Sequence, residues 1–169
     1  MYNKIVIWGI KYKTHTHYWI HHGYYRAMKY LNENTIWIDD KILENDDIIK
    51  NSIIFTSGIC DKHIPLREDC FYILHNCNKE KYKNLIENNQ VLLLQVYTHD
   101  VFKKNFELTK HDECIYYSIS EKKIYLPWAT DLLPNEIEKN KKLLESVYKN
   151  RKKQACFIGT VWNNNINEI

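Results

Sequence analysis

What most constrains the fold is a recurring rhythm of short, almost continuously apolar runs. Lys4–Ile10 (KIVIWGI), Thr35–Ile38 (TIWI), Ser52–Thr56 (SIIFT), Cys70–Leu74 (CFYIL) and Val91–Val96 (VLLLQV) are too short for ordinary helices. They also lack the strict alternation of a strand with one wet face. Such runs are the usual form of strands buried on both faces, as in a parallel sheet covered by helices. Weaker strand candidates are Cys114–Ile119, Lys123–Leu126 and Ala155–Ile158.

Between the runs lie helical patterns. From Tyr18 to Leu31, apolar Ile20, Tyr24, Ala27, Met28 and Leu31 fall at helical spacing, with His22, Arg26, Lys29 and Glu33 opposite. A short helix is expected around Asp46–Lys50 and a longer one over Lys79–Asn88, where Tyr82, Leu85 and Ile86 share a face. Pro134 suits the first turn of a helix reaching about Asn150, acidic early and basic late. Strands alternating with helices imply an α/β fold, a Rossmann-like three-layer αβα domain with a mostly parallel sheet. Ligands of such sheets bind beyond the carboxyl ends of the strands. His15, His17, Asp39, Asp40, Ser57, Gly58, His75, Asn76, Tyr97, His99 and Gly159 stand at those ends.

At 169 residues the chain has room for one core and little more. The net charge of +3, with both signs interspersed, gives no basic stripe for nucleic acid. The basic run Lys149–Lys153 reads as the solvated end of a helix. Five cysteines without CxxC spacing suggest neither a disulfide framework nor a zinc knuckle, and point to a cytoplasmic setting. The sequence contains no signal-peptide pattern and no run of membrane-spanning length.

The most unusual local feature is THTHYWIHH, four histidines in eight positions directly after the first strand. A neutral imidazole at a strand end can take a proton from a hydroxyl if a carboxylate fixes its tautomer. His17 and His15 are the candidate bases, and Asp39 or Asp40 the candidate carboxylate. His17 and His21, four apart, share a helix face, while His22 falls on the solvated side. The plainer alternative is a set of loop histidines that cap the helix. His-x-His after a first strand also begins some metal-hydrolase sites, although the barrels that carry them need more chain than this. With four glycines and no GxGxxG, Walker or GxSxG pattern, dinucleotide, ATP and serine-hydrolase chemistry are disfavoured. Tyr12, Tyr18, Trp19, Tyr24, Tyr25, Tyr97 and Trp128 offer flat rings that suit either a core or stacking on sugars.

Four segments in order, WGIKYKTHTHYWIHHGYYRAMKYL (8–31), FYILHN (71–76), LPWATDLLP (126–134) and FIGTVW (157–162), resemble the N-terminal, acceptor-binding half of GT-B glycosyltransferases, enzymes built of two Rossmann-like domains. The resemblance implies transfer of a sugar from a nucleotide sugar to a hydroxyl acceptor, with His17 or His15 as general base and no cofactor or metal. It implies an acceptor site drawn from Tyr18, His21, Asp39, Ser57, Gly58, His75, Asn76, Tyr97, Trp128, Thr130 and Asp131, and a donor contact at Gly159 and Thr160. Residues 1–153 would then form the acceptor domain and 154–169 the start of a donor domain. A separate donor-binding domain or a second copy of the chain would be the partner, and activity of the chain alone is not implied. The alternative from another class is a non-catalytic module that binds carbohydrate or a protein partner.

Overall fold

The computed structural model describes residues 2–96, 108–112, 115–126 and 132–148. The chain divides into two compact units, residues 1–133 and 134–169. The boundary expected at residue 153 lies outside the described residues.

In the first unit the strands are β1 (Lys4–Trp8), β2 (Thr35–Ile38), β3 (Ser52–Ser57), β4 (Phe71–His75), β5 (Val91–Gln95), β6 (Leu108–Asp112), β7 (Ile115–Ser118) and β8 (Lys123–Tyr125). They form one sheet in the order β2-β1-β3-β4-β5-β8-β7-β6. The six strands from β2 to β8 pair in parallel, and β7 and β6 extend the edge as antiparallel strands. The expected mostly parallel sheet is therefore present. The order β2-β1-β3-β4-β5 is that of a doubly wound sheet whose strand order reverses between β1 and β3.

Period-two side chains divide the sheet's two faces. On one face Ile5, Ile7, Phe55, Ile73 and Leu94 pack beneath α1 (Thr16–Leu31), which contributes Tyr24, Tyr25 and Met28. On the other, Val6, Trp8, Ile54, Tyr72 and Leu74 are covered by Ile49, from a 3-10 turn at Asp46–Ile49, and by Tyr82 and Leu85. Tyr82 closes a second 3-10 turn, Lys79–Tyr82, and Leu85 lies in α2 (Lys83–Glu87). Layers on both faces give the three-layer α/β Rossmann-like architecture.

The buried face of α1 differs from the amphipathic reading. Tyr18 and His21 are buried and Tyr24, Tyr25 and Met28 half-buried, whereas Ala27 and Leu31 are exposed. His22, expected on the solvated side, stacks on Tyr18 at 5.5 Å with planes 9° apart and lies 5.8 Å from Trp37. The stripe is set by aromatic packing rather than by aliphatic spacing.

The long β3–β4 connection is held by Tyr72. Its hydroxyl accepts from the Arg67 backbone N–H at 2.8 Å and donates to the Pro65 carbonyl at 2.7 Å. Arg67 in turn joins Asp69 in a two-point pair and reaches Asp46 at 2.9 Å. Removing the buried hydroxyl strands one donor and one acceptor, so Tyr72→Phe is expected to destabilise the protein by about 1–3 kcal/mol in urea unfolding. An unchanged midpoint would mean that these bonds do not anchor the loop.

The second unit contributes α3 (Pro134–Tyr148), with Pro134 at its first position and Glu136 in its first turn, both suited to a helix start. Lys141 pairs with Glu138 one turn earlier at 2.9 Å.

Candidate functional site

β1, β3 and β4 end side by side, and on the α1 face Phe55 of β3 and Ile73 of β4 are followed by the polar Ser57 and His75. In register, Ser57 of β3 lies opposite His75 of β4, and the Gly58 N–H donates to the His75 carbonyl at 3.0 Å. After β1 the chain runs through Gly9 and Ile10 to His15, which caps α1: its Nδ1 accepts from the His17 N–H at 3.1 Å. The helix then carries His17 and His21 over the strand ends. The rings of His15 and His17 are 5.2 Å apart, and those of His17 and His21 6.3 Å.

His21 is fully buried. Its Nδ1 accepts from the Ile10 N–H at 3.1 Å, so the neutral ring carries its proton on Nε2, which donates to Ser57 Oγ at 3.2 Å. Ser57 Oγ lies 3.3 Å from Cys60 Sγ, and the thiol reaches the Ser57 carbonyl at 3.4 Å. A protonated Nε2 cannot take the Ser57 proton, so His21 and Ser57 are not a base–nucleophile pair. They form a buried hydrogen-bonded tie that clamps α1, the β1 exit and β3 together. Gly9 makes room for it, because a Cβ there would sit 2.5 Å from the His21 ring. At Gly58 a Cβ would collide with the Asn76 carbonyl. Asn76 itself takes a left-handed φ of 53°, which Asn tolerates better than most residues.

Burial and mutual repulsion lower the pKa of three of these imidazoles, His17, His21 and His75. Burial, followed by the neighbouring charges of His17, His75 and His15, depresses His21 to about 4. Burial and then His15 lower His17, and burial and then His17 lower His75. His75 Nε2 accepts from the Asn76 amide at 3.3 Å. His17 Nδ1 is buried without a hydrogen-bond partner, which leaves its Nε2 as the nitrogen available to a ligand. At neutral pH His17, His21 and His75 are therefore biased toward the uncharged form.

The structure brings His15, His17, His21, Ser57, Gly58, His75 and Asn76 together. Four of the sequence-derived site residues are buried, Tyr18, His21, Ser57 and His75. His21 is spent on Ile10 and Ser57, and Tyr18 is buried against His22 and Trp37. Asp39 and Asp40, expected to orient a histidine, do other work. Asp39 accepts from the Lys11 and Asp40 N–H groups, while Asp40 accepts from the Trp8 indole and the Lys62 and His63 N–H groups. These short acidic side chains brace loops, because several backbone donors converge at the end of β2. Tyr97, His99, Trp128, Thr130, Asp131, Gly159 and Thr160 lie outside the described residues. Sequence reasoning missed Cys60 and the role of Gly9; a glycine directly after a buried strand was the one local signal, and Cys60 had none.

Among the described residues, no three His, Cys, Asp or Glu side chains are placed to hold a metal ion. None of their helices is long and apolar enough to cross a membrane. No family model, curated protein or solved structure matches the chain.

Proposed function

We propose that the chain is a sugar-transferase acceptor domain of GT-B type, in which a hydroxyl-bearing acceptor docks at the carboxyl ends of β1, β3 and β4. The hydroxyl is deprotonated by His17 Nε2 as a nucleotide-sugar donor gives up its glycosyl group. The observation that carries this reading is the convergence of His15, His17 and His75 where the strand order reverses, with His17 held neutral by burial and by His15. A general base must be unprotonated at the working pH, and an imidazole depressed below its ordinary value meets that condition. The His21 tie supports the base indirectly, by fixing the first two turns of α1 on the sheet.

The second reading, a non-catalytic carbohydrate-binding module, is favoured by the commitment of Asp39 and Asp40 to backbone donors, which leaves the tautomer of His17 to the ligand. The two readings part on turnover. The chain, incubated with a panel of nucleotide sugars and hydroxyl acceptors, is expected to release nucleoside diphosphate, and His17→Ala is expected to slow release by about 100-fold or more, the usual share of a general base. Turnover that is unchanged in His17→Ala sinks the catalytic role of that residue. Sugar affinity with no release in either protein establishes the binding module instead.

A further inference from the structure

We infer that the outward face of α1 is an interface between two copies of this chain, which pair through antiparallel α1 helices crossing at Gly23. The inference stands apart from the proposed function, because His21 and His17, one turn before it, lie on the opposite, sheet-facing side of the helix.

α1 is apolar on both sides. Tyr24, Tyr25 and Met28 pack down on the sheet. The side turned away from it is formed, at helical spacing, by Thr16, Trp19, Gly23, Ala27 and Tyr30, with Leu31 at its margin. Trp19, Tyr30 and Leu31 are 58%, 59% and 74% exposed, and Thr16 and Ala27 are exposed with them. The cationic residues of the helix, Arg26 and Lys29, fall to one flank of this arc. A surface helix ordinarily presents charged and polar residues to water, and one that is apolar all round is one that something covers. Trp19 is also held in place, with Tyr18 and His22 perpendicular to it at 5.0 and 6.4 Å, so it has little rotamer freedom left to lose on contact.

A second copy is the occupant because the pattern is its own complement. In an antiparallel pair centred on Gly23, Trp19 meets the partner's Ala27 and Tyr30 meets the partner's Thr16, large against small at each level. The two glycines, which have no side chains, let the helix axes approach at the crossing. Lys13 before the helix and Glu33 beyond it are both exposed and stand ten residues either side of Gly23, so the same arrangement brings opposite charges toward each other at both ends. A parallel pair would set Trp19 against Trp19 and like charges together. Trp19, Tyr30 and Leu31 alone leave roughly 400 Å² exposed on each copy, more than a soluble monomer ordinarily leaves in one place without a partner. Covering it on both copies, with the rim, buries on the order of 1,000 Å², the lower end of specific interfaces, and so gives a weak, concentration-dependent dimer rather than an obligate one.

Sedimentation of the intact chain from about 1 μM to about 500 μM is expected to show the mean mass rising from that of one chain toward that of two. Ala27→Glu, at an exposed position and with a good helix former, should weaken association by about tenfold or more, because it places a charge against the partner's Trp19. Trp19→Lys serves as a second variant, and circular dichroism of both verifies the folded helix. The orientation has its own readout: Lys13→Glu should weaken pairing by about two- to threefold, and adding Glu33→Lys should restore it. A single chain at every concentration overturns the inference and leaves the face to a different partner. Association that survives both Ala27→Glu and Trp19→Lys uses another surface and overturns it as well, and a charge swap without restoration overturns the antiparallel crossing.

Discussion

Gly9→Ala is expected to lower the melting temperature by roughly 6–12 °C, corresponding to about 3 kcal/mol for a chain of this size. The added methyl would sit 2.5 Å from Cγ and Nδ1 of a fully buried ring. Neither side can yield cheaply. Gly9 is pinned at both polar groups, its N–H donating to the Ile38 carbonyl at 2.9 Å and its carbonyl accepting from the Trp37 indole at 3.0 Å. The ring is pinned by Ile10 and Ser57. If the ring moves, a buried backbone N–H and a buried hydroxyl lose their partner, and each stranded group costs about 1–3 kcal/mol. The same change in a His21→Ala background should cost far less, because the obstacle is gone. Thermal unfolding of the four proteins of that cycle gives the coupling directly. A Gly9→Ala melting temperature within about 2 °C of the parent, or additive effects in the double variant, would show that the ring and the glycine do not share this space.

The strands were legible and the tie was not, for reasons that lie in the range of the interactions. β2 occupies the residues expected from TIWI, and β1, β3, β4, β5, β7 and β8 differ from expectation by no more than two residues at either end. Each of these is an apolar run whose burial is decided locally. β6, LTKHD, carries no apolar signal and exists because β7 offers it an antiparallel partner, Leu108 opposite Ser118. The buried face of α1 departs from its apolar pattern because Leu31 counts as apolar in any pattern, yet is 74% exposed, while His21 counts as polar and is fully buried. Nothing within a helical turn of His21 explains that burial. Its partners are 11 residues away at Ile10, 36 at Ser57 and 39 at Cys60.

The candidate site follows the same division. That His15 and His17 stand at the end of β1, and Ser57, Gly58, His75 and Asn76 at the ends of β3 and β4, follows from strand order plus the rule that doubly wound sheets bind ligands at their carboxyl edge. Which histidine faces outward and which locks the fold does not follow. A heptad or turn count places His17 and His21 on one face and cannot distinguish them. The distinction lies in the tertiary partners: His21 is fully buried and bonded to Ile10 and Ser57, while His17, one turn earlier, is only half-buried.

Acid should therefore unfold this protein through His21 before carboxylate titration is complete. Its folded value, about 4, lies below its ordinary value of 6.5, because burial and then the neighbouring His17, His75 and His15 disfavour the charged ring. The unfolded chain binds a proton there that the folded chain refuses. Stability from this group is then fully present above about pH 6.5, falls as pH drops below that value, and levels off near pH 4. Between about pH 7.5 and pH 4.5 the linkage amounts to about 2–3 kcal/mol. His17 and His75, also depressed, push in the same direction. In urea unfolding across this range the parent should lose stability as pH falls, with up to about one proton taken up at His21 per molecule unfolded. His21→Gln, which can still accept from Ile10 and donate to Ser57, should be less stable at pH 7 yet show a shallower slope below pH 6.5. Equal slopes in the two proteins would remove His21 as the source.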